Sequence, residues 1–201
     1  MFLFNTRTEL EETASRLQKH FARFGLIMHV GNSTTKSKSE AMYFPPSLAE
    51  ARKLEEEGYL PEDIKLPDND ERIGFAPSFK YLGSVITPLL NEDAEIAMRI
   101  KKAKSIMGLS RQFFDCRDVD IRVKYQIYTA GPLNALLWGC EGWNISKKNQ
   151  KKLQSCHHTF IRRILKIKWD QVREQRIKNS QIRRLFCNVP NIEAFVERRT
   201  A

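Results

Sequence analysis

The sequence lacks the patterns by which the commonest enzyme classes are recognised. It has no Gly-rich phosphate loop of the Walker or dinucleotide type, no Asp-Asp pair on a predicted strand, and no Ser, His and Asp arrangement with distinguishing local sequence. Its four cysteines include no Cys-x-x-Cys pair, so neither a zinc knuckle nor a disulfide framework is indicated. No apolar run approaches the roughly 18 residues that predict a membrane span. We therefore expect reduced thiols and no membrane among the partners.

One cluster does resemble a set of metal ligands. Cys156, His157 and His158 are consecutive and fall within a predicted helix. Neighbouring helix positions point about 100° apart, so the three side chains cannot all converge on one ion. We interpret the cluster as structural and predict neither a metal site nor a cofactor for this chain.

Charge is the strongest signal in the sequence. The formal net charge is +10, and residues 147–184 carry thirteen Lys or Arg against two acidic residues. An opposite island at residues 50–71 has nine acidic residues against three basic ones. A concentrated cationic stretch interleaved with aromatic residues favours contact with nucleic acid, the alternative being a merely solvated surface.

The first 88 residues predict a helix followed by short strands. Thr6 and Thr8 are both candidate N-caps for an amphipathic helix that Gly25 ends, and residues 26–30 and 40–44 have the composition of strands. Residues 45–75 predict an acidic loop insertion with one short helix at 47–57, and no catalysis is expected from its acidic cluster at 68–71. Residues 79–86 are aromatic and β-branched and predict a short strand with a tight turn or bulge at Gly83.

The second half predicts helices almost throughout. They begin near Asn91, run from about 118 to 138 with a break at Gly131-Pro132, and continue after an N-cap at Ser146. We expect Trp138 and Trp143 to anchor the helices around them, and residues 190–201 to form a frayed terminal helix. The fold class is therefore α+β, with a few short antiparallel strands in residues 1–88 and a basic, mostly helical domain in residues 89–201.

Five features occur in a fixed order along the chain. They are a helix that ends in Phe-Gly-Leu at 24–26 before Ser-Lys-Ser-Glu-Ala-Met at 37–42, then Phe-Lys-Tyr-Leu-Gly at 79–83, Ile-Lys-Lys-Ala-Lys at 100–104, Leu-Trp-Gly-Cys-Glu-Gly-Trp at 137–143, and Arg-Arg-Ile-Leu at 162–165. In this order they resemble the downstream half of a reverse transcriptase from a non-long-terminal-repeat (LINE-like) retrotransposon. The resemblance extends from about residue 5 to residue 186.

The resemblance implies a fold and a task. Residues 1–88 would be the end of a palm domain, residues 89–201 a thumb and connector, and the partner an RNA or DNA template–primer. Lys38 would be the general acid for pyrophosphate departure, with Lys36 as the alternative in register and a solvated or phosphate-facing lysine as an equally good interpretation. The nucleus is the location that the resemblance implies.

The resemblance also implies residues that hold nucleic acid. A primer-grip hairpin would be formed by Phe79, Lys80, Tyr81, Leu82 and Gly83, although aromatic residues in a strand are more often core. Template or primer phosphates would be contacted by Lys147, Lys148, Lys151, Lys152, Arg162, Arg163, Lys166 and Lys168. Arg162 and Arg163 are the stronger candidates, because Phe160 and Ile164 fix that face of the helix.

The family's metal-binding aspartates have no counterpart in the chain. Two of them sit on a strand immediately before the first helix, where this sequence has only Met1-Phe2-Leu3-Phe4. We expect a truncated front, a missing upstream polymerase segment as partner, and no polymerase activity from this chain alone, since Mg²⁺ is implied only for the full-length enzyme. The alternatives are a non-catalytic nucleic-acid-binding protein and a retroelement remnant without function.

Overall fold

A computed structural model describes residues 1–32, 34–66 and 70–200 of the chain. Helices dominate, and the strands are few and short, so the expected mixed α+β, mostly helical fold is confirmed. The chain divides into two compact units, Met1–Leu90 (unit 1) and Asn91–Ala201 (unit 2). No helix in the described part of the chain is both long enough and apolar enough to cross a membrane.

Unit 1 begins with helix α1 (Arg7–Arg23). Its N-cap is Thr6, whose hydroxyl accepts from the Glu9 amide, and Gly25 takes a left-handed conformation after its end, as the sequence predicts. The helix is followed by β1 (Glu40–Ala41), α2 (Leu48–Glu57), β2 (Ile64–Lys65) and β3 (Arg72–Phe75). In this three-stranded sheet β3 is central and antiparallel to β2 but parallel to β1, so the expectation of antiparallel strands is wrong for the β1–β3 pair.

A small core joins α1 to this sheet. Ala14 of α1 is buried with Ile64, Leu66 and Ile73, and partly buried apolar side chains surround them. The prediction that residues 45–75 form a loop insertion around one helix is therefore wrong, because β2 and β3 lie inside that segment and supply most of the core. The predicted helix itself is confirmed as α2, with Ser47 as its N-cap. Residues 67–69, part of the predicted acidic loop and its cluster, lie outside the described residues.

The segment before β1 is extended but forms no ladder. The strand predicted at residues 26–30 is absent from the described chain, where only Gly31 pairs with Arg72 as an isolated bridge. Leu26 and Ile27 are exposed, so no buried face rewards pairing. The Ser37 hydroxyl instead lies within hydrogen-bond distance of the backbone oxygens of His29 and Ser39, either of which can accept its single proton, and the Ser37 backbone lies against Gly31. The strand predicted at 40–44 is confirmed only for Glu40–Ala41.

Strands β4 (Phe79–Tyr81) and β5 (Ser84–Ile86) form an antiparallel hairpin, with Phe79 opposite Ile86 and Tyr81 opposite Ser84. Its two turn residues, Leu82 (φ 47°) and Gly83 (φ 92°), both have positive φ, which is the signature of a type I′ turn. The predicted turn at Gly83 is confirmed. Within the described chain the hairpin is a sheet of its own, separate from β1–β3.

Unit 2 is helical, and its elements are numbered on from α2. They are α3 (Asp93–Leu109), α4 (Arg111–Asp115), α5 (Ile121–Tyr128), a π-helical segment (Thr129–Leu133), α6 (Asn134–Leu136), a 3₁₀ turn (Cys140–Gly142), α7 (Lys147–Ile164), α8 (Trp169–Glu174), α9 (Asn179–Leu185) and α10 (Ile192–Thr200). The predicted cap at Ser146 is confirmed, since its hydroxyl accepts from the Asn149 amide. At Gly131-Pro132, where the sequence predicts a break, the helix forms the π-helical segment.

The core of unit 2 surrounds α7. Leu153, Phe160, Ile161 and Ile164 of this helix are buried among apolar side chains from α3, from α5 to α6, and from α9 and α10. The amphipathic pattern of α7 predicts this face, and burying it accounts for its position in the middle of the unit.

Two expectations about unit 2 are wrong. Trp138 is exposed, because it follows the end of α6 and only Leu136 and Leu137 before it face the core; Trp143 is half-buried against the core. The terminal helix α10 is not frayed, because the Arg199 guanidinium donates to the Leu137 carbonyl oxygen and to Asn134 Oδ1, each at 2.9 Å.

Candidate nucleic-acid interface

Helix α7 presents lysines on the side opposite its buried face. Lys147, Lys148, Lys151 and Lys152 occupy its first two turns and are all exposed. Cations at a helix N-terminus oppose the helix dipole, so this placement does not favour stability. These four predicted site residues are brought together on one surface.

Asp93 is the acidic neighbour of this lysine group. Its carboxylate accepts from Asn149 Nδ2 at 2.6 Å and lies 3.8 Å from Lys152 Nζ and 3.9 Å from Lys148 Nζ. The Asn149 hydrogen bond, and then the two lysines, hold the pKa of Asp93 below its ordinary value. One carboxylate therefore offsets part of the charge of two lysines, at distances too long for tight pairs.

A groove of about 750 Å³ runs between α3 and α7. Lys104 of α3 faces Lys148, Lys151 and Lys152 of α7 across it, and Ile100 and Phe160 contribute apolar surface. Of the described residues that line the groove, none is Asp or Glu. A cationic groove with an apolar floor attracts an anionic, elongated ligand.

Charge is divided unequally between the two units. Residues 91–201 contain 23 Lys or Arg against 11 Asp or Glu, a net charge of +12, whereas residues 1–90 carry −2. The groove therefore belongs to the unit that holds all of the cationic excess.

Arg162 is not the solvent-facing phosphate contact that the sequence predicts. Only 7% of the residue is exposed, its guanidinium carbon lies 3.8 Å from the centroid of a Trp169 ring, and Nη2 donates to Thr159 Oγ1. Burial lowers the pKa of Arg162, which nonetheless stays protonated. Arg99 likewise adds nothing to the basic surface, since it is buried in an ion pair with Glu95.

The remaining predicted cations of this region have different surroundings. Arg163 and Lys168 are exposed, so both stay predicted phosphate contacts. Lys166 is exposed as well, but its Nζ donates to the Asp115 carbonyl oxygen at 2.8 Å, and with Lys124 it caps the end of α4. Contact with phosphate would compete with that structural bond.

The remaining predicted site residues belong to unit 1. Lys38 is exposed in the loop before β1, and its backbone amide donates to His29 Nδ1, while the alternative Lys36 lies 3.5 Å from the Glu40 carboxylate. The assignment of Lys38 as a general acid stays a prediction. At the hairpin Phe79 and Gly83 are half-buried, and Lys80, Tyr81 and Leu82 are exposed. These three side chains are accessible to a ligand.

The side chains of the consecutive residues Cys156, His157 and His158 have different neighbours. His157 contacts Tyr128 and the Pro190 carbonyl, His158 lies 2.9 Å from Gln154 Nε2, and Cys156 borders the groove with its pKa raised to about 11 by burial. Among residues 1–32, 34–66 and 70–200 no three His, Cys, Asp or Glu side chains are placed to hold a metal ion.

Three residues of this region had no assigned role from sequence. The sequence includes Lys104 in a motif but indicates no individual function for Lys104, Asp93 or Trp169. The position of Lys104 on α3, off the apolar stripe, is the signal that could have identified it. The pairing of Asp93 with α7 joins segments more than 50 residues apart and has no local signature.

No protein-family model matches the chain, and neither a curated protein nor a solved structure matches it. The likeness to reverse transcriptases therefore rests on the order of the sequence motifs alone.

Proposed function

We propose that unit 2 binds the phosphate backbone of nucleic acid in the α3–α7 groove, as the thumb of a LINE-like reverse transcriptase would hold template and primer. The observation that carries the proposal is the groove itself, where four lysines from two helices face one another and no lining residue described is acidic. Phosphate contacts by lysine do not depend on base sequence, so the proposed binding is non-specific.

The groove is long enough for several phosphates. Lys148 and Thr159 both line it and lie eleven residues apart on α7, which corresponds to roughly 16 Å along the helix axis. One strand of a duplex advances about 3.4 Å per phosphate, so about four phosphates fit this length. Contact by three or four lysines predicts a slope of about −3 for log K against log salt concentration.

The test is the salt dependence of binding to a fluorescent RNA–DNA duplex. Changing Lys148, Lys151 and Lys152 to Gln should reduce the slope by about 3 and weaken binding at low salt. A matched control changes Arg117, Arg122 and Arg198 to Gln, since all three are exposed, belong to unit 2 and do not line the groove. Equal effects of the two triple variants, or affinity that is constant from low to high salt, would contradict the proposal.

If the chain is a fragment of a reverse transcriptase, the proposal has a more specific consequence. It predicts tighter binding of a duplex with a recessed 3′ end than of a blunt duplex, and loss of that preference on Tyr81→Ala in the hairpin. Equal affinity for the two duplexes, with salt dependence retained, would favour the alternative of a non-catalytic nucleic-acid-binding protein. Salt-independent binding of both would favour the remnant without function.

A further inference from the structure

A second groove, of about 580 Å³, lies on the other side of α7. It is bounded by α7, by α8, and by the residues that lead into α9. Lys151 and Ser155 line this groove as well as the α3–α7 groove, so the two grooves adjoin at these residues of α7. An elongated ligand in one groove can therefore extend into the other.

Trp169 forms one wall of the second groove. The guanidinium of Arg162 stacks on its indole at 3.8 Å, and 58% of the tryptophan is nevertheless exposed. One face of the ring thus lies against a buried cation that is itself fixed by Thr159, and the exposed fraction of Trp169 leaves ring surface open to a ligand. Because the ring is already ordered, stacking of a ligand on this exposed surface costs little conformational entropy.

The charged side chains in this groove are all cationic. Lys151, Arg162 and Lys178 line it, and of the described lining residues none is acidic. His158 also borders it, but burial and the nearby Arg183 and Arg162 lower its pKa to about 4, so its ring is neutral at pH 7 and bonds to Gln154. An aromatic face beside cations suits a ligand that has both a flat ring and a negative charge.

We infer that the second groove holds one nucleotide of an unpaired strand, with its base stacked on the exposed ring surface of Trp169 and its phosphate at Lys151 and Lys178. This inference rests on the proposed function, because the rest of the strand would occupy the α3–α7 groove. The groove volume is in the range of nucleotide-sized sites. Bases within a duplex are already stacked on one another, so the site selects single-stranded nucleic acid.

The experiment compares two tryptophan variants. Trp138→Leu is the matched control for Trp169→Leu, since the two residues are 54% and 58% exposed and Trp138 lines neither groove. With a dT₁₀ oligonucleotide as probe, we expect quenching of tryptophan fluorescence in the wild type and in Trp138→Leu. In Trp169→Leu the quenching should disappear and the affinity fall at least about fivefold, and Trp169→Tyr should restore most of the affinity.

Binding of the RNA–DNA duplex separates this inference from the proposed function. Trp169→Leu should change duplex affinity by less than twofold, because the duplex uses the lysines alone. Equal dT₁₀ affinity for the two leucine variants would overturn the stacking inference and leave the proposed function standing if the duplex still shows its salt slope. If the wild type binds neither probe with salt dependence, the proposed function fails and the inference with it.

Discussion

The Tyr128 hydroxyl oxygen lies 2.6 Å from Nδ1 of His157, and both residues are fully buried. The other ring nitrogen, Nε2, lies 3.1 Å from the Pro190 carbonyl oxygen, which can only accept a hydrogen bond. Nε2 therefore carries the proton, and Nδ1 accepts from the phenol. This arrangement joins α5, α7 and the segment before α10 through a neutral imidazole, and burial, with smaller effects of His158 and Arg183, lowers the pKa of His157 to about 3.

Acid should destabilise unit 2 through this histidine. Between about pH 6.5 and pH 3 the unfolded chain binds a proton at His157 that the folded chain does not, so the free energy of unfolding falls as the pH falls. His157 alone should account for about 2 kcal/mol between pH 7.5 and pH 5. All three tryptophans lie in unit 2, so denaturation followed by tryptophan fluorescence at the two pH values measures this loss.

Substitution separates His157 from other titrating groups. His157→Gln cannot acquire a proton and should remove its share of the pH dependence, whereas His20→Gln, at an exposed position in unit 1, should leave it unchanged. His158, with its pKa lowered to about 4, contributes in the same direction and remains in both variants. A His157→Gln protein with the wild-type pH dependence would contradict this assignment.

Asp93 should limit the affinity of the α3–α7 groove. Asp93→Asn removes the negative charge beside Lys148 and Lys152 and can keep the hydrogen bond from Asn149. We expect about threefold tighter binding of the RNA–DNA duplex at low salt, an effect that high salt screens. Asp118→Asn is the control, with the same change in net charge at an exposed position away from the groove; similar gains in both variants would indicate a net-charge effect alone.

The helices and their caps were largely predictable from the sequence, but which side chains are buried and which are exposed was not. Thr6, Ser47 and Ser146 cap helices by bonding to amides three residues away, and such short-range chemistry is visible in the sequence. Ile64 and Ile73 stand among charged residues, and only their packing against α1 makes them core. Arg162 is covered by Trp169, which belongs to the next helix, α8. Contacts with other helices and strands therefore determine which Lys and Arg side chains remain exposed.

Arg199 should be a main attachment of the C-terminal helix. Replacing it with Met removes two hydrogen bonds from a charged donor and should lower the free energy of unfolding of unit 2 by about 2 kcal/mol. The neighbouring Arg198 is exposed, so Arg198→Met should change the free energy by less than about 0.5 kcal/mol. Urea denaturation of both variants, followed by tryptophan fluorescence, measures the difference; equal stabilities would show that α10 is held by apolar packing.

Replacing Leu82 at the tip of the hairpin with a residue that tolerates positive φ should stabilise the hairpin. Leu82 is 85% exposed and has a left-handed conformation that costs an ordinary L-residue about 1 kcal/mol, whereas Asn tolerates it. Leu82→Asn should slow amide hydrogen exchange in β4 and β5, and Leu82→Val should accelerate it because a β-branched residue is disfavoured there. Changes in the same direction for both variants would contradict the assigned turn.

The π-helical segment sets the phase between the two helices that flank it. In an uninterrupted α-helix Tyr128 and Leu136 would be rotated about 80° from each other, but one extra residue absorbed in the π turn brings them to within about 20°. Both are consequently buried on the same side. Deleting a single residue such as Ala130 would make the helix regular and keep Tyr128 and Leu136 within the same roughly 20°, so the π turn accommodates one additional residue without displacing the buried side chains.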